Sequence, residues 1–465
     1  MSSTLLTLNG IELETLSSIS MTSSPVASIS DNSHILVVPD PTENEVSDYP
    51  EGGLKAYSVV FGSFLGLIAN FGIMNSVGAI QAYIATHQLA GVNASTVSWI
   101  FSIYMSLSFA IGILVGPYFD ARGSFRLLAG GCVLEFIGFM GVAQSRTVWQ
   151  FILSLSICVG LGNALCITPL VSVVSHWFLV KRGRANGIAT IGGSVGGIVI
   201  PLMLGALYPK VGFPWAIRIL GFFCLCCMVS ATILAKERFI RADEIAQEAA
   251  PSGKRKFLAQ TKGFLDFSAL LDLKYSFLIG GAFCAELALM SMVTYFATYA
   301  IAQGMSESSS YVLLTIFNAT GVLGRLLPGF LSDTFGHYNV MILMLIGVDL
   351  SMFLMWIPFG SNPTLLYAFA AVCGFFSASI LSLTPVCLGT ITPIHKFGAR
   401  YGLLYFFVSI GNLFGIPLGA AIIGDGSQRN YTLFSLFCGL LALVGTASWT
   451  ISRYCIVGFK INVKL

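Results

Sequence analysis

Two short turns constrain this chain more than anything else in it. Gly116-Pro117-Tyr118-Phe119-Asp120-Ala121-Arg122-Gly123 and Gly329-Phe330-Leu331-Ser332-Asp333-Thr334-Phe335-Gly336 both read Gly-x3-Asp-x2-Gly, and each joins two long apolar runs. A second pair follows in the same order. Thr168-Pro169 precedes Arg184, and Thr384-Pro385 precedes Arg400, with the same step from Thr to Arg in both. Matching turns in matching order imply a duplicated unit, and apolar runs on either side of each turn imply a membrane unit.

Composition supports lipid as the solvent. Only 10% of the 465 residues are charged and 55% are hydrophobic, against about 25% charged in a soluble domain. So few charges cannot coat a soluble protein of this size. The 49 glycines suit helices that pack backbone to backbone. A net charge of +3, with no basic stripe, gives no footprint for a nucleic-acid partner. Cys224, Cys226 and Cys227 sit in an apolar run without further ligands, so they read as packing residues, and neither a metal site nor a disulfide framework is expected. No phosphate loop, nucleophile elbow or cofactor motif is present, which argues against an enzyme and leaves no cofactor to expect.

Along the chain, residues 1–50 hold 16 Ser and Thr and no Lys or Arg, and read as a disordered cytoplasmic tail. Twelve candidate spans follow, each of about 20 residues as the hydrocarbon core requires. The first six are expected at 57–83, 94–117, 126–144, 149–175, 185–207 and 214–235, making an N-terminal bundle over 51–235. The second six are expected at 275–302, 309–331, 339–358, 363–388, 400–424 and 431–453, making a C-terminal bundle over 275–453. Between them lies a polar linker, 236–274, and after them a tail, 454–465. Of the 24 Lys and Arg, 19 fall on the side of the termini and linker, which predicts that this side is cytoplasmic.

The double-six pattern with its paired turns resembles the major facilitator superfamily over roughly 51–455. Glu51-Gly52-Gly53-Leu54-Lys55-Ala56-Tyr57 and Trp177-Phe178-x-x-Lys181-Arg182-Gly183-Arg184-Ala185-Asn186-Gly187, followed by Gly192-Gly193-Ser194-Val195-Gly196-Gly197, resemble its monocarboxylate-porter branch, in a fungal flavour. The resemblance implies an all-α membrane protein of twelve transmembrane helices in two pseudo-symmetric six-helix bundles. It implies alternating access to a central site, and a monomer in the plasma membrane. Two departures stand out. Animal members of that branch place a lysine in the first span, where Asn75 stands here. They also place an aspartate four residues before an eighth-span arginine. Arg325 matches that arginine, but Gly321 replaces the aspartate. These departures point away from lactate, toward a larger, less charged substrate.

The candidate residues fall into three groups. Gly116, Asp120, Arg122, Gly123 and Arg126, with Asp333, Arg184 and Arg400, are candidates for gating, the acids forming ion pairs that hold one conformation. Arg325, Asn75, Asn163 and Glu286 are candidates for binding substrate: the guanidinium for an anion, the amides for polar groups. Glu286, Asp349 and Glu135 are acids inside spans and candidates for carrying a proton. The implied activity is secondary active transport of a small organic compound, an organic acid or related metabolite. Export of a secondary metabolite, or nutrient sensing on a transporter scaffold, are the alternatives. A channel is disfavoured, since no filter-like motif is present.

Overall fold

The computed structural model describes residues 49–238, 267–460 and 463. Nearly all of the 1–50 tail and most of the 236–274 linker lie outside the described residues. Within the described residues every regular element is helical. Among the described residues eleven helices are long and apolar enough to cross a membrane. One of them, Arg182–Leu234, contains two spans: its backbone leaves helical geometry at Gly212, where φ is 73° and ψ 167°. Pro209 and Pro214 flank the break. Only glycine takes this backbone region without strain, so the chain turns there.

The twelve spans are α1 (Leu54–Thr86), α2 (Ser95–Arg122), α3 (Phe125–Val142), α4 (Val148–His176), α5 (182–211) and α6 (213–234) in the first half. The second half holds α7 (Leu273–Ala302), α8 (Val312–Phe335), α9 (His337–Phe359), α10 (Pro363–Thr390), α11 (Ile394–Ile423) and α12 (Gln428–Val457). All twelve expected spans are present. The turn between α5 and α6 is tighter than expected, because α5 continues to 211. Helix α12 runs to Val457, past the limit placed at 453, and α7 begins two residues inside the expected linker.

Glycine decides how the spans pack. At Gly72 of α1, an added Cβ would stand 2.7 Å from the Cα of Gly196 on α5, so these backbones touch. The matching pair in the second half packs differently. Glycines 411, 415 and 419 of α11 receive the side chains of Phe283, Leu287 and Tyr295 from α7. Large apolar side chains such as Leu202, Ile233, Leu343 and Leu354 are exposed on the outside, where lipid covers them.

The two halves meet most closely near the ends that carry the Gly-x3-Asp turns, called the basic end here. There α2 lies against α11 at Gly112–Gly402 and Gly116–Gly398, and α5 lies against α8 at Gly183–Gly329. Deeper in, the halves separate around a cavity. Beyond it α1 approaches α7, where a Cβ on Gly78 would sit 3.7 Å from the Thr294 carbonyl.

Candidate functional site

The Gly-x3-Asp spacing puts the two residues one turn apart on the same helix face. On α2, Gly116 has no room for a side chain, since an added Cβ would run into the carbonyl of Gly398. One turn later the Asp120 carboxylate accepts the amides of Gly398 (2.9 Å) and Ala399 (2.7 Å). These belong to the first turn of α11, whose N–H groups have no acceptor within their own helix. A carboxylate there also meets the positive end of the helix dipole.

The second copy repeats this with the halves exchanged. Gly329 of α8 lies against Gly183, and Asp333 accepts the amides of Gly183 (2.8 Å) and Arg184 (3.1 Å), at the start of α5. Arg184 adds an ion pair, its Nε 3.1 Å from Asp333. Each half thus caps a helix of the other, and both caps close the basic end.

The expectation of ion pairs needs correction at three arginines. Arg122 and Arg126 are exposed and turn to the Tyr118 hydroxyl, with the Arg122 guanidinium 5.4 Å from the Tyr118 ring. Arg400 donates to the carbonyl of Ile391 (3.0 Å) and lies over the ring of Tyr275 (5.6 Å), not against Asp120. The reason is register. Arg184 supplies the second capped amide, but Arg400 follows the second capped amide by one residue, which rotates it about 100° round the helix.

Gly123 ends α2 with φ of 77°, and a Cβ there would collide with the carboxylate of Glu237. Glu237, which sequence reasoning missed, follows α6 and accepts the Ser124 hydroxyl (2.6 Å) and amide (3.1 Å) at the start of α3. Partial burial opposes its charge, but the Ser124 hydroxyl and amide outweigh that and hold its carboxyl below the usual range.

The cavity between the halves is lined by Met74 and Asn75 of α1, Met105 of α2, Ser194 of α5, Met290 and Thr294 of α7, Phe317, Asn318 and Arg325 of α8, and Ser377 of α10. Asn75 donates its amide to the Gly193 carbonyl (3.0 Å), bridging α1 to α5. Arg325 is buried at 3% exposure, and its Nη1 donates to the Thr190 carbonyl of the opposite half (2.8 Å). Gly193 makes room for that guanidinium: a Cβ would lie 3.2 Å from Nη1.

Gly321, one turn before Arg325, faces Ser194 and Ala378. Glu286 of α7 is fully buried beside the Tyr405 hydroxyl of α11, one turn below Met290 on the same face. Tyr405 also stands in electrostatic reach of Arg325 and stacks on Phe109 of α2, ring centres 4.8 Å apart. Of these three, only Arg325 lines the cavity; Tyr405 and Glu286 lie beside it, outside the lining, so Glu286 does not reach the cavity wall itself.

Three candidates lie elsewhere. Asn163 donates to the Tyr104 hydroxyl (3.1 Å) and the Ser108 hydroxyl (3.2 Å), tying α4 to α2 outside the cavity. Glu135 of α3 packs against Gly162 and Cys166 of α4. Asp349 of α9 accepts the Thr446 hydroxyl of α12 (2.7 Å). Each faces a neighbouring helix of its own half, because a polar group in a span satisfies itself against the nearest helix. Residues not singled out beforehand also matter: Thr190 and Tyr405 against Arg325, and Glu51 and Arg182 beside the α5–α8 cap.

Two related helical bundles, capped reciprocally at one end and hollow between, define a membrane transporter rather than an enzyme. The chain belongs to the Major Facilitator Superfamily, whose family model matches residues 60–348 and 304–454. It is 41% identical to the riboflavin transporter MCH5 of Saccharomyces cerevisiae, over 90% of this chain and 82% of that one. It is 29% identical to the fujikurins efflux protein of Gibberella fujikuroi, over 86% of this chain and 82% of the other. In fold it is similar to the human organic anion transporter MFSD10 (TETRAN), with a TM-score of 0.61 at 15% identity, covering 84% of this chain and all of that one.

Proposed function

We propose that this protein takes up a planar, hydrogen-bonding heterocyclic metabolite of the flavin class by alternating access, with protons as the driving ion. The bundles 51–235 and 275–453 rock about the cavity. The linker 236–274 and both termini lie in the cytoplasm, and the monomer works in the plasma membrane. Asp120 and Asp333 close the cytoplasmic side.

The observation that carries this reading is the chemistry of the cavity wall. It offers amides and hydroxyls from Asn75, Asn318, Ser194 and Ser377, thioethers from Met74, Met105 and Met290, the Phe317 ring, and one cation, Arg325. Thioethers and an aromatic ring suit a flat π-system, and a few placed amides suit the donors and acceptors along its edge. The 41% identity to a riboflavin transporter supports the same class. Glu286 carries the proton, since it is buried next to the cavity and reaches Arg325 through Tyr405. A second reading, a monocarboxylate-type organic acid held by Arg325, rests on the guanidinium fork. In the closed state one arm of that fork is already engaged by Thr190.

The test is uptake of labelled riboflavin, short monocarboxylates and dicarboxylates by cells expressing the protein, with and without an inward proton gradient. Gradient-dependent flavin uptake, retained in part by Arg325→Ala and uncoupled from pH by Glu286→Gln, is the expected result. Uptake of a carboxylate alone, abolished by Arg325→Ala, would establish the second reading. With the protein at the cell surface and no uptake of any compound, export becomes the working function, and the medium is then searched for what the cells release.

A further inference from the structure

The α5–α8 cap rests on a loop that a third acid holds in place. Glu51, just before α1, turns its carboxylate into the loop 179–181. It accepts three successive amides there, from Leu179 (2.5 Å), Val180 (2.7 Å) and Lys181 (3.0 Å). The Lys181 ammonium returns to the Glu51 carbonyl (3.0 Å). Successive N–H groups converging on one carboxylate form an anion-binding nest, and charge-assisted bonds of this kind are the strong ones. Glu51 reaches the nest with φ at 49°, an uncommon backbone for a residue with a side chain, and Gly52 and Gly53 follow with positive φ. The chain spends local strain to place this carboxylate.

The next amides along, from Gly183 and Arg184, are those that Asp333 accepts from the other half. Arg182 lies between the two sets. It is buried, in electrostatic reach of both Glu51 and Asp333, and its guanidinium lies against Gly389 of α10 in the opposite half. The start of α5 therefore presents two adjacent sets of amides, separated by Arg182, one held by an acid of its own half and the other by an acid of the other half.

We infer that Glu51 is a positioning residue of the transport cycle: by fixing the loop 179–181 it aims the amides of Gly183 and Arg184 at Asp333, and so sets how firmly the basic end closes. This rests on reading the Asp333 cap as a gate. Losing the brace leaves the cavity and its lining intact, but lets the start of α5 sample other orientations. The closed state loses population to one open at the basic end.

Spin labels at the exposed positions Arg126 and His395, on opposite halves at the basic end and away from the Glu51 loop, report that opening as a distance. The full-length carrier in nanodiscs is compared with Glu51→Ala, Asp333→Asn and the double variant, the labels being introduced as genetically encoded residues. Both single variants are expected to add a longer-distance population. The double variant should add no more than Asp333→Asn alone, and Glu51→Asp should restore part of the short distance. Glu51→Gln serves in place of Glu51→Ala if the alanine variant does not fold. A wild-type distribution in the Glu51 variant beside an opened Asp333→Asn overturns the inference, as does simple additivity. A wild-type distribution in Asp333→Asn overturns the gate reading itself, and the inference with it.

Discussion

The two caps proposed as gates are made by the same chemistry and are braced unequally. At α2–α11, Asp120 accepts two backbone amides, and its neighbouring arginines turn away to Tyr118. At α5–α8, Asp333 accepts two backbone amides and an ion pair from Arg184. Glu51 braces the adjoining loop, and Arg325 reaches across from α8 to the Thr190 carbonyl on α5. The backbone contact is uneven in the opposite sense. A Cβ on Gly116 would meet the Gly398 carbonyl more tightly than one on Gly329 would meet the Gly183 carbonyl (2.6 Å). The α2–α11 cap thus leans more on close approach and the α5–α8 cap more on charge. The Gly-x3-Asp geometry is the same in both halves, and the side chains around it differ.

The largest effects are expected from filling the glycines. Gly116→Leu and Gly329→Leu should each reduce transport at least about tenfold, since a gap costing ~1.4 kcal/mol in the closed state already shifts its population by that factor. Milder variants sharpen the contrast: Gly116→Ala should impair uptake more than Gly329→Ala. Equal rates in the two alanine variants, at equal surface level, would remove close approach as the distinguishing feature of the α2–α11 gate.

Next come the acids. Asp333→Asn loses the charge, one good amide bond and the Arg184 partner, whereas Asp120→Asn loses the charge and one amide bond. A hydrogen bond to a charged group contributes about 1.5–3 kcal/mol, so both variants should transport several-fold more slowly. The loss should be greater for Asp333→Asn. Arg184→Gln should cost less than either. The Arg184 side chain is 40% exposed, and a solvent-screened pair contributes about 0–1 kcal/mol. Initial uptake rates normalised to surface protein rank the three. A larger loss in Asp120→Asn than in Asp333→Asn would reverse the comparison.

Much of the fold was legible because membrane spans announce themselves by length and apolarity, and because the doubled turn marks where each half begins its second hairpin. The Gly-x3-Asp spacing also marked both places where an aspartate caps a helix of the other half. Their partners were not legible. Asp120 is answered by amides 278 and 279 residues away, and a backbone amide has no sequence signature, so the nearby Arg122 and Arg126 looked like the natural ion pair. Arg400 followed the repeat in sequence but missed the cap by one residue of helical register. Inside the spans the difficulty was direction. A helix apolar on every face gives little sign of which side faces the cavity, so Asn163 and Asn75 looked equivalent until one proved to tie α4 to α2 and the other to line the cavity. Glu51 stood in a recognisable motif, yet only the fold brings that motif onto the basic loop before α5.

The smallest expected effect separates the gates by pH. Glu237 supports the start of α3, directly after the Gly116–Gly123 turn, through Ser124. Its carboxyl is depressed below the ordinary range near 4.3. A depressed carboxyl stabilises the fold fully above its unfolded pKa, and that stabilisation fades as pH falls through the lower folded value. The contribution is therefore present at neutral pH and lost only in acid. Glu237→Gln should lower the melting temperature by a few degrees at pH 7, with the difference from wild type shrinking toward pH 3. Ser124→Ala should behave in the same way, since it removes the donor that depresses the carboxyl. Each should weaken the α2–α11 side while leaving Glu51 and Asp333 untouched. The distance change caused by Glu51→Ala should then be the same in a Glu237→Gln background. A pH-independent difference in melting temperature would assign Glu237 a packing role only, and Asp120 would be left as the charged support of the α2–α11 cap.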